Sequence, residues 1–157
     1  MPIDRNRFAK DIQMTEKKYG ADNVYWASDL SWVRINNIGL PDNFRHSKTN
    51  ILILVPANYG SGGRFRDIFI DPDLEVLAKD GQNYERLGKH LHYFEKYPYQ
   101  SMKEDMKAQF EKNNWGYLCL HDQNPESSIV NFLFKVSLFL GNIYKDWKAI
   151  YEKYRKQ

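Results

Sequence analysis

One cysteine, Cys119, stands in 157 residues. It has no intramolecular partner, so the disulfide-stapled secreted class is excluded and a reduced, cytoplasmic protein is the expectation. Long apolar runs are also missing. The longest, Ile129 to Tyr144, is interrupted by Asn131, Lys135, Ser137 and Asn142 and falls short of the ~20 residues a bilayer helix requires, so no membrane partner is expected. Charge of one sign is scarce too: 23 Lys and Arg stand against 20 Asp and Glu, a net +3. Nucleic-acid binders carry a clustered basic face rather than a slight excess, so no nucleic acid is expected as a partner. Nine glycines and six prolines are too few for collagenous or low-complexity chains. The opening MPIDRNRFAKDI has charges where a secretory signal needs an apolar run, and it reads as part of the mature protein.

What is present is an ordinary globular composition, 42% hydrophobic and 15% aromatic. At this length one domain spanning residues 1–157 is the default, and such a domain buries roughly 70% of the surface its unfolded chain would expose. Residues 4 to 19 read as a surface helix, with Asp4 as N-cap, Phe8, Ile12 and Tyr19 on one face and Gly20 ending the pattern. From Val24 to Ile38 the residues are strand formers, with Val33 and Ile35 alternating with Arg34 and Asn36, which predicts one or two strands. Ile51 to Val55 is the clearest strand, stopped by Pro56. Asn58 to Gly63 is loop chemistry, Phe65 to Ile70 a further strand, and Asp71-Pro72-Asp73 its exit. The result is an antiparallel meander.

From there to Tyr99 the pattern is irregular. Ser101 and Glu104 have capping-box spacing, and Met102, Met106 and Phe110 predict a helix over 102–112. Trp115 to Asp122 reads as extended or looped. Asn124-Pro125-Glu126 supplies a cap, a Pro suited to the first helical position and an acid for the first turn. The helix it opens carries Ile129, Phe132, Leu133, Val136, Phe139 and Leu140 on one stripe. Phe134 and Leu138 lie off the stripe, which predicts that most of this helix is buried. A last helix over about 144–155 puts Trp147, Ile150, Tyr151 and Tyr154 on one side.

In its order of elements the chain resembles the ubiquitin-conjugating enzyme superfamily. Three pieces carry the resemblance: ILILVPANY at Ile51 to Tyr59, like a strand followed by Pro-x-x-Tyr; Phe65 to Asp73, like the next strand and its acidic-proline exit; and GYLCLHDQNPESSIVNFLFKVSLFL at Gly116 to Leu140, like the Gly-x-x-Cys-Leu catalytic segment and its following helix. The family's His-Pro-Asn tripeptide is absent, and Gly60 follows Pro-x-x-Tyr where the family usually has Pro. The chain is thus similar to the divergent bacterial members, found with ubiquitin-like or CBASS-type antiphage systems. The resemblance implies an α+β, UBC-like fold: an N-terminal helix, a four-stranded antiparallel meander, a catalytic loop and C-terminal helices, with an inserted helical segment at about 93–115 expected to cover or flank Cys119.

The chemistry it implies is acyl transfer. An activated protein C-terminus is held on Cys119 as a thioester and passed to an amine, a lysine in most of the family. The partners would be a ubiquitin-like or other conjugated protein, an adenylating activating enzyme contacted by Arg5, Arg7 and Lys10, and an acceptor protein; no cofactor is implied. A free thiol has a pKa of about 8.5, and the helix beginning near Pro125 would supply a dipole that lowers it. His121 lies two residues beyond Cys119, on the same side of an extended chain. His92 and Asn114 are the candidates for the oxyanion donor that the family draws from its tripeptide, ahead of their neighbours His90 and Asn113. Asp122 is a candidate to orient a histidine or depress the pKa of an incoming lysine, its competing role being a helix cap. Read without the resemblance, Cys119 between Leu118 and Leu120 is a small buried hydrophobe.

Other constellations carry less. Gly60-Ser61-Gly62-Gly63-Arg64 lacks the Gly-Lys-Ser/Thr ending of a phosphate loop. His90-Leu91-His92 lacks a second set of metal ligands. Two alternatives remain: a non-catalytic protein-binding module on the same fold, with Cys119 structural, and a cysteine hydrolase using Cys119 with His121 or His92.

Overall fold

A computed structural model describes residues 3–60, 65, 67–91, 108–109, 115–120 and 128–155. Asp4 starts helix α1, Arg5–Tyr19, by accepting the Arg7 N–H at 3.1 Å, and Gly20, at φ +92°, ends it by donating to the Glu16 carbonyl. Both termini are those expected from the sequence. A 3-10 turn over Ala21–Asn23 then leads into β1, Val24–Trp26, which pairs with β2, Trp32–Gly39. The meander continues through β3, Lys48–Leu54, and β4, Asp67–Ile70.

A fifth strand corrects the four-stranded expectation. The segment Gly116–Cys119 forms β7 and pairs antiparallel with β4, giving the sheet order β1-β2-β3-β4-β7. The stretch that looks irregular after Asp73 also holds structure: a hairpin of β5, Glu75–Leu77, and β6, Tyr84–Arg86, followed by a 3-10 turn over Leu87–His90. These strands are three residues each, too short for alternation to register in the sequence. Their turn is set by Asp80, whose carboxylate accepts the N–H groups of Gln82 and Asn83, and by Gly81 at φ +70°.

Strand alternation divides the molecule into two layers around the sheet. Val33, Ile35, Ile51, Ile53, Ile68, Ile70 and Leu118 face the helices and build the main core with Phe8 and Ile12 of α1. Trp32, Leu52, Phe69 and Trp115 form a second cluster on the opposite, outer face. Of the segment 93–115, Ala108, Gln109 and Trp115 are described. Ala108 and Gln109 are helical, Gln109 Oε1 accepts from Arg34 of β2 at 2.5 Å, and Trp115 Nε1 donates to the Gln109 carbonyl. The rest of the helix predicted over 102–112 lies outside the described residues.

Helix α2 runs Ile129–Gly141, and its N-cap is Ser128, whose hydroxyl accepts the Asn131 N–H at 3.1 Å. This corrects the cap expected at residues 124–126, which themselves lie outside the described set. The stripe Ile129, Phe132, Leu133, Val136 and Leu140 is buried, with Phe139 packed partly against it. Phe134 departs from the expectation of a mostly buried helix: it is 40% exposed, its ring edge-on to Tyr154 of α3, Trp147–Arg155. That last helix starts three residues later than the sequence pattern predicts, with Asp146 accepting the Ala149 N–H. Among the described residues no helix is long and apolar enough to cross a membrane.

Candidate functional site

Cys119 is the last residue of β7, in register with Asp67 of β4. Its strand neighbours define its setting. Leu118 and the following Leu120 are buried toward the helices. Tyr117, with the opposite parity, donates its hydroxyl to Asp67 Oδ1 at 2.5 Å and lies 5.5 Å from the Phe69 ring. Asp67 is therefore a carboxylate one strand away in register with the cysteine, already engaged by a phenol.

His92, Asn114, His121 and Asp122 all lie outside the described residues. His90 is described, and it faces elsewhere. Its Nε2 is 2.9 Å from Glu85 Oε1, and its ring stands edge-on to Tyr144 with centroids 5.3 Å apart. Tyr144 donates its hydroxyl to the same carboxylate oxygen. The Tyr144 bond, followed by the His90 bond, holds the Glu85 carboxyl below its ordinary range, and the Glu85 bond in turn raises the Tyr144 phenol. The cluster joins the β5–β6 hairpin to the α2–α3 connection. Sequence reasoning missed it because its members are 54 residues or more apart, except for Glu85 and His90.

A second centre, also missed, sits at the start of α2. Asp11 is 4% exposed and reads in the sequence as part of a charged helix face. Its carboxylate accepts the Tyr59 hydroxyl at 2.6 Å and the Ile129 N–H at 3.0 and 3.2 Å to its two oxygens. Burial raises the Asp11 carboxyl; the bonds from Tyr59 and Ile129, and the charge of Arg7, pull the other way. Burial and the Asp11 contact together push the Tyr59 phenol far above its usual value. Tyr59 is the tyrosine of Pro-x-x-Tyr, and its ring lies edge-on to Phe8 and tilted against Phe65, which in turn stacks on Phe132 of α2. One buried carboxylate thus ties α1, the β3–β4 connection and α2 together.

This geometry changes the expectation for the thiol. The first N–H of α2 is donated to Asp11 and the third to Ser128. The positive end of the helix, which the sequence reading offers to Cys119, is thus occupied by the Asp11 carboxyl. The departure at Gly60 also has a local cause. Gly60 has φ +91°, and a Cβ there would lie 2.5 Å from Asp4 Cβ. Proline, with φ fixed near −65°, is incompatible with this backbone, because Asp4 donates its N–H to the Tyr59 carbonyl and brings α1 against the turn. Among the described residues no group of three His, Cys, Asp or Glu side chains is close enough to hold a metal ion. No family model matches the chain, and neither a curated protein nor a solved structure is found to match it.

Proposed function

We propose that this protein is a UBC-like acyl carrier, which holds the activated C-terminus of a ubiquitin-like or other protein on Cys119 and passes it to an amine, in a bacterial conjugation or CBASS-type antiphage setting. The observation that carries the reading is the position of Cys119. The only cysteine of the chain ends a strand, behind a helix–meander order and a Pro-x-x-Tyr turn, and ahead of α2. A residue at a strand-to-loop exit is offered on a rigid stem, the usual way folds present reacting groups. The step is balanced by acyl chemistry alone. The thiolate adds to the activated carbonyl and expels the activating group; the acceptor amine then adds to the thioester, loses a proton and releases the thiol.

A second reading, a non-catalytic binding module, is favoured by one observation, the Asp11 carboxyl that occupies the start of α2. The two separate in one experiment. Tagged wild type and Cys119→Ser are expressed in the native host, purified under acidic non-reducing conditions and weighed intact. A thiol-labile adduct on wild type, replaced by a thiol-stable ester on the serine variant, is the expected result. Absence of any adduct, with undiminished function of the serine variant, assigns the protein to the binding module instead.

A further inference from the structure

Where β2 and β3 part at a register shift between Ile35 and Ile38, a cleft of about 500 Å³ opens. Asn37, His46, Lys48, Asn50, Asp71 and Trp115 are among its lining residues. Asn37 has φ +59°, a left-handed conformation rare outside glycine. It is held by a chain of amides. Asn23 Nδ2 donates to the Tyr19 carbonyl at 2.7 Å, Asn37 Nδ2 donates to Asn23 Oδ1 at 2.9 Å, and the Asn37 N–H donates to Asn50 Oδ1 at 3.0 Å.

That chain fixes which polar atoms are left over. A carbonyl only accepts, so Asn23 turns its nitrogen to Tyr19 and its oxygen to Asn37, and Asn37 must meet it with nitrogen. A backbone N–H only donates, so Asn50 meets Asn37 with oxygen. The unused atoms are Asn37 Oδ1, an acceptor, and Asn50 Nδ2, a donor. Together they complement the N–H and C=O of a peptide unit.

Charges of both signs accompany them. His46 and Lys48 come from the chain entering β3, and Asp71 from the chain leaving β4. Among the described residues neither Lys48 nor Asp71 makes an ion pair. Asp71 Oδ1 accepts the Asp73 N–H, which leaves Oδ2 free. A simple anion at Lys48 would meet the Asp71 carboxylate, and a neutral sugar would engage neither charge. A zwitterion satisfies both. We propose that this cleft binds a short peptide with free termini, its ammonium at Asp71, its carboxylate at Lys48 and a peptide unit between Asn37 and Asn50. The volume lies within the ~300–1,000 Å³ of small-ligand sites. This site goes beyond the thioester reading and does not depend on it.

The test is a titration of the isotope-labelled full chain, followed by amide shifts, with trialanine, with N-acetylated and C-amidated trialanine, with glucose and with inorganic phosphate. Saturable shifts centred on Asn37, Asn50 and Asp71 are expected with trialanine, with affinity about tenfold weaker in Lys48→Ala or Asp71→Asn, one lost charge contact each, and about a hundredfold weaker with the capped peptide, which loses both. Lys48 is exposed and Asp71 half-exposed, so both variants keep the fold. Should either variant unfold, the capped and free peptides compared on wild type decide alone. Equal binding of the capped peptide, preference for glucose or phosphate, shifts centred elsewhere, or no saturation in the millimolar range would overturn the proposal.

Discussion

Replacing Asp11 by Ala removes the one acceptor that serves both the Tyr59 hydroxyl and the first N–H of α2. Each buried donor left without a partner costs about 1–3 kcal/mol. Two of them set an upper range of about 2–6 kcal/mol. The wild-type carboxylate itself is destabilised by burial, the leading cause of its raised pKa, and this offsets part of the loss. The expected net cost is about 3 kcal/mol, a large share of the ~5–15 kcal/mol of a typical domain and a fall in Tm of roughly 10 °C. Tyr59→Phe removes one donor and leaves Asp11 bonded to Ile129, so it costs about 1–2 kcal/mol. The double variant costs less than the sum of the two singles, because the Asp11–Tyr59 bond is counted in both. Urea denaturation of the four proteins gives the cycle. A cost for Asp11→Ala below about 0.5 kcal/mol, the ordinary surface range, or strict additivity with Tyr59→Phe, would refute the clamp.

Three other outcomes follow from named contacts. Because the folded Asp11 carboxyl is raised above its unfolded value, the folded state binds more protons between the two pKa values; wild-type stability relative to Asp11→Asn therefore declines as pH rises through that window and is flat above it, as denaturation across an acid pH series will read. The Glu85 carboxyl is lowered by Tyr144 and His90, so its contribution is present above the ordinary carboxylate range and disappears as pH falls through the folded value; Glu85→Gln abolishes that acid limb, and an unchanged limb in the variant contradicts the assignment. Gly60→Ala forces a left-handed alanine and a Cβ 2.5 Å from Asp4 Cβ, a loss above the ~1 kcal/mol of left-handed strain alone, and thermal unfolding measures it; Asp4→Gly in the same chain recovers the steric part less the contribution of the α1 cap that it removes.

Local signals in the sequence were read correctly wherever the physics is local. Asp4 and Gly20 bound α1 because capping depends on residues within one turn. Val33, Ile35, Ile51 and Ile53 reveal the inner face of the sheet because alternation is a property of a single strand. The β5–β6 hairpin was invisible: its strands are short, and Glu75, Glu85 and Arg86 are paired through Arg45, His90 and Asp73 rather than patterned for burial. Ser128 as the cap of α2 is masked by the stronger Asn124-Pro125-Glu126 signal, which begins four residues earlier. Asp11 could have been suspected. A lone acid between Phe8 and Ile12 with Thr15 following, on the helix face that is otherwise apolar, is a polar group placed where burial is expected, and such a group requires a partner.

Asp11 also bears on how the candidate cysteine is held. Upstream, β7 is paired with β4 along its whole length, ending at the Cys119–Asp67 register. Downstream, Leu120 is buried in the main core, and the chain is fixed again at Ile129, whose side chain is fully buried and whose N–H belongs to Asp11. The described residues on either side of 121–127, Leu120 and Ile129, therefore belong to the same core. His121 and Asp122 lie between them in the chain. The anchor at Ile129 is the same carboxyl that occupies the start of α2. The thiol then has two candidate sources of activation, side chains and the start of α2. The alkylation rate of Cys119 against pH separates these sources: His121→Ala shifts the profile if a side chain activates the thiol, whereas Asp11→Asn shifts it only if the helix end still reaches it.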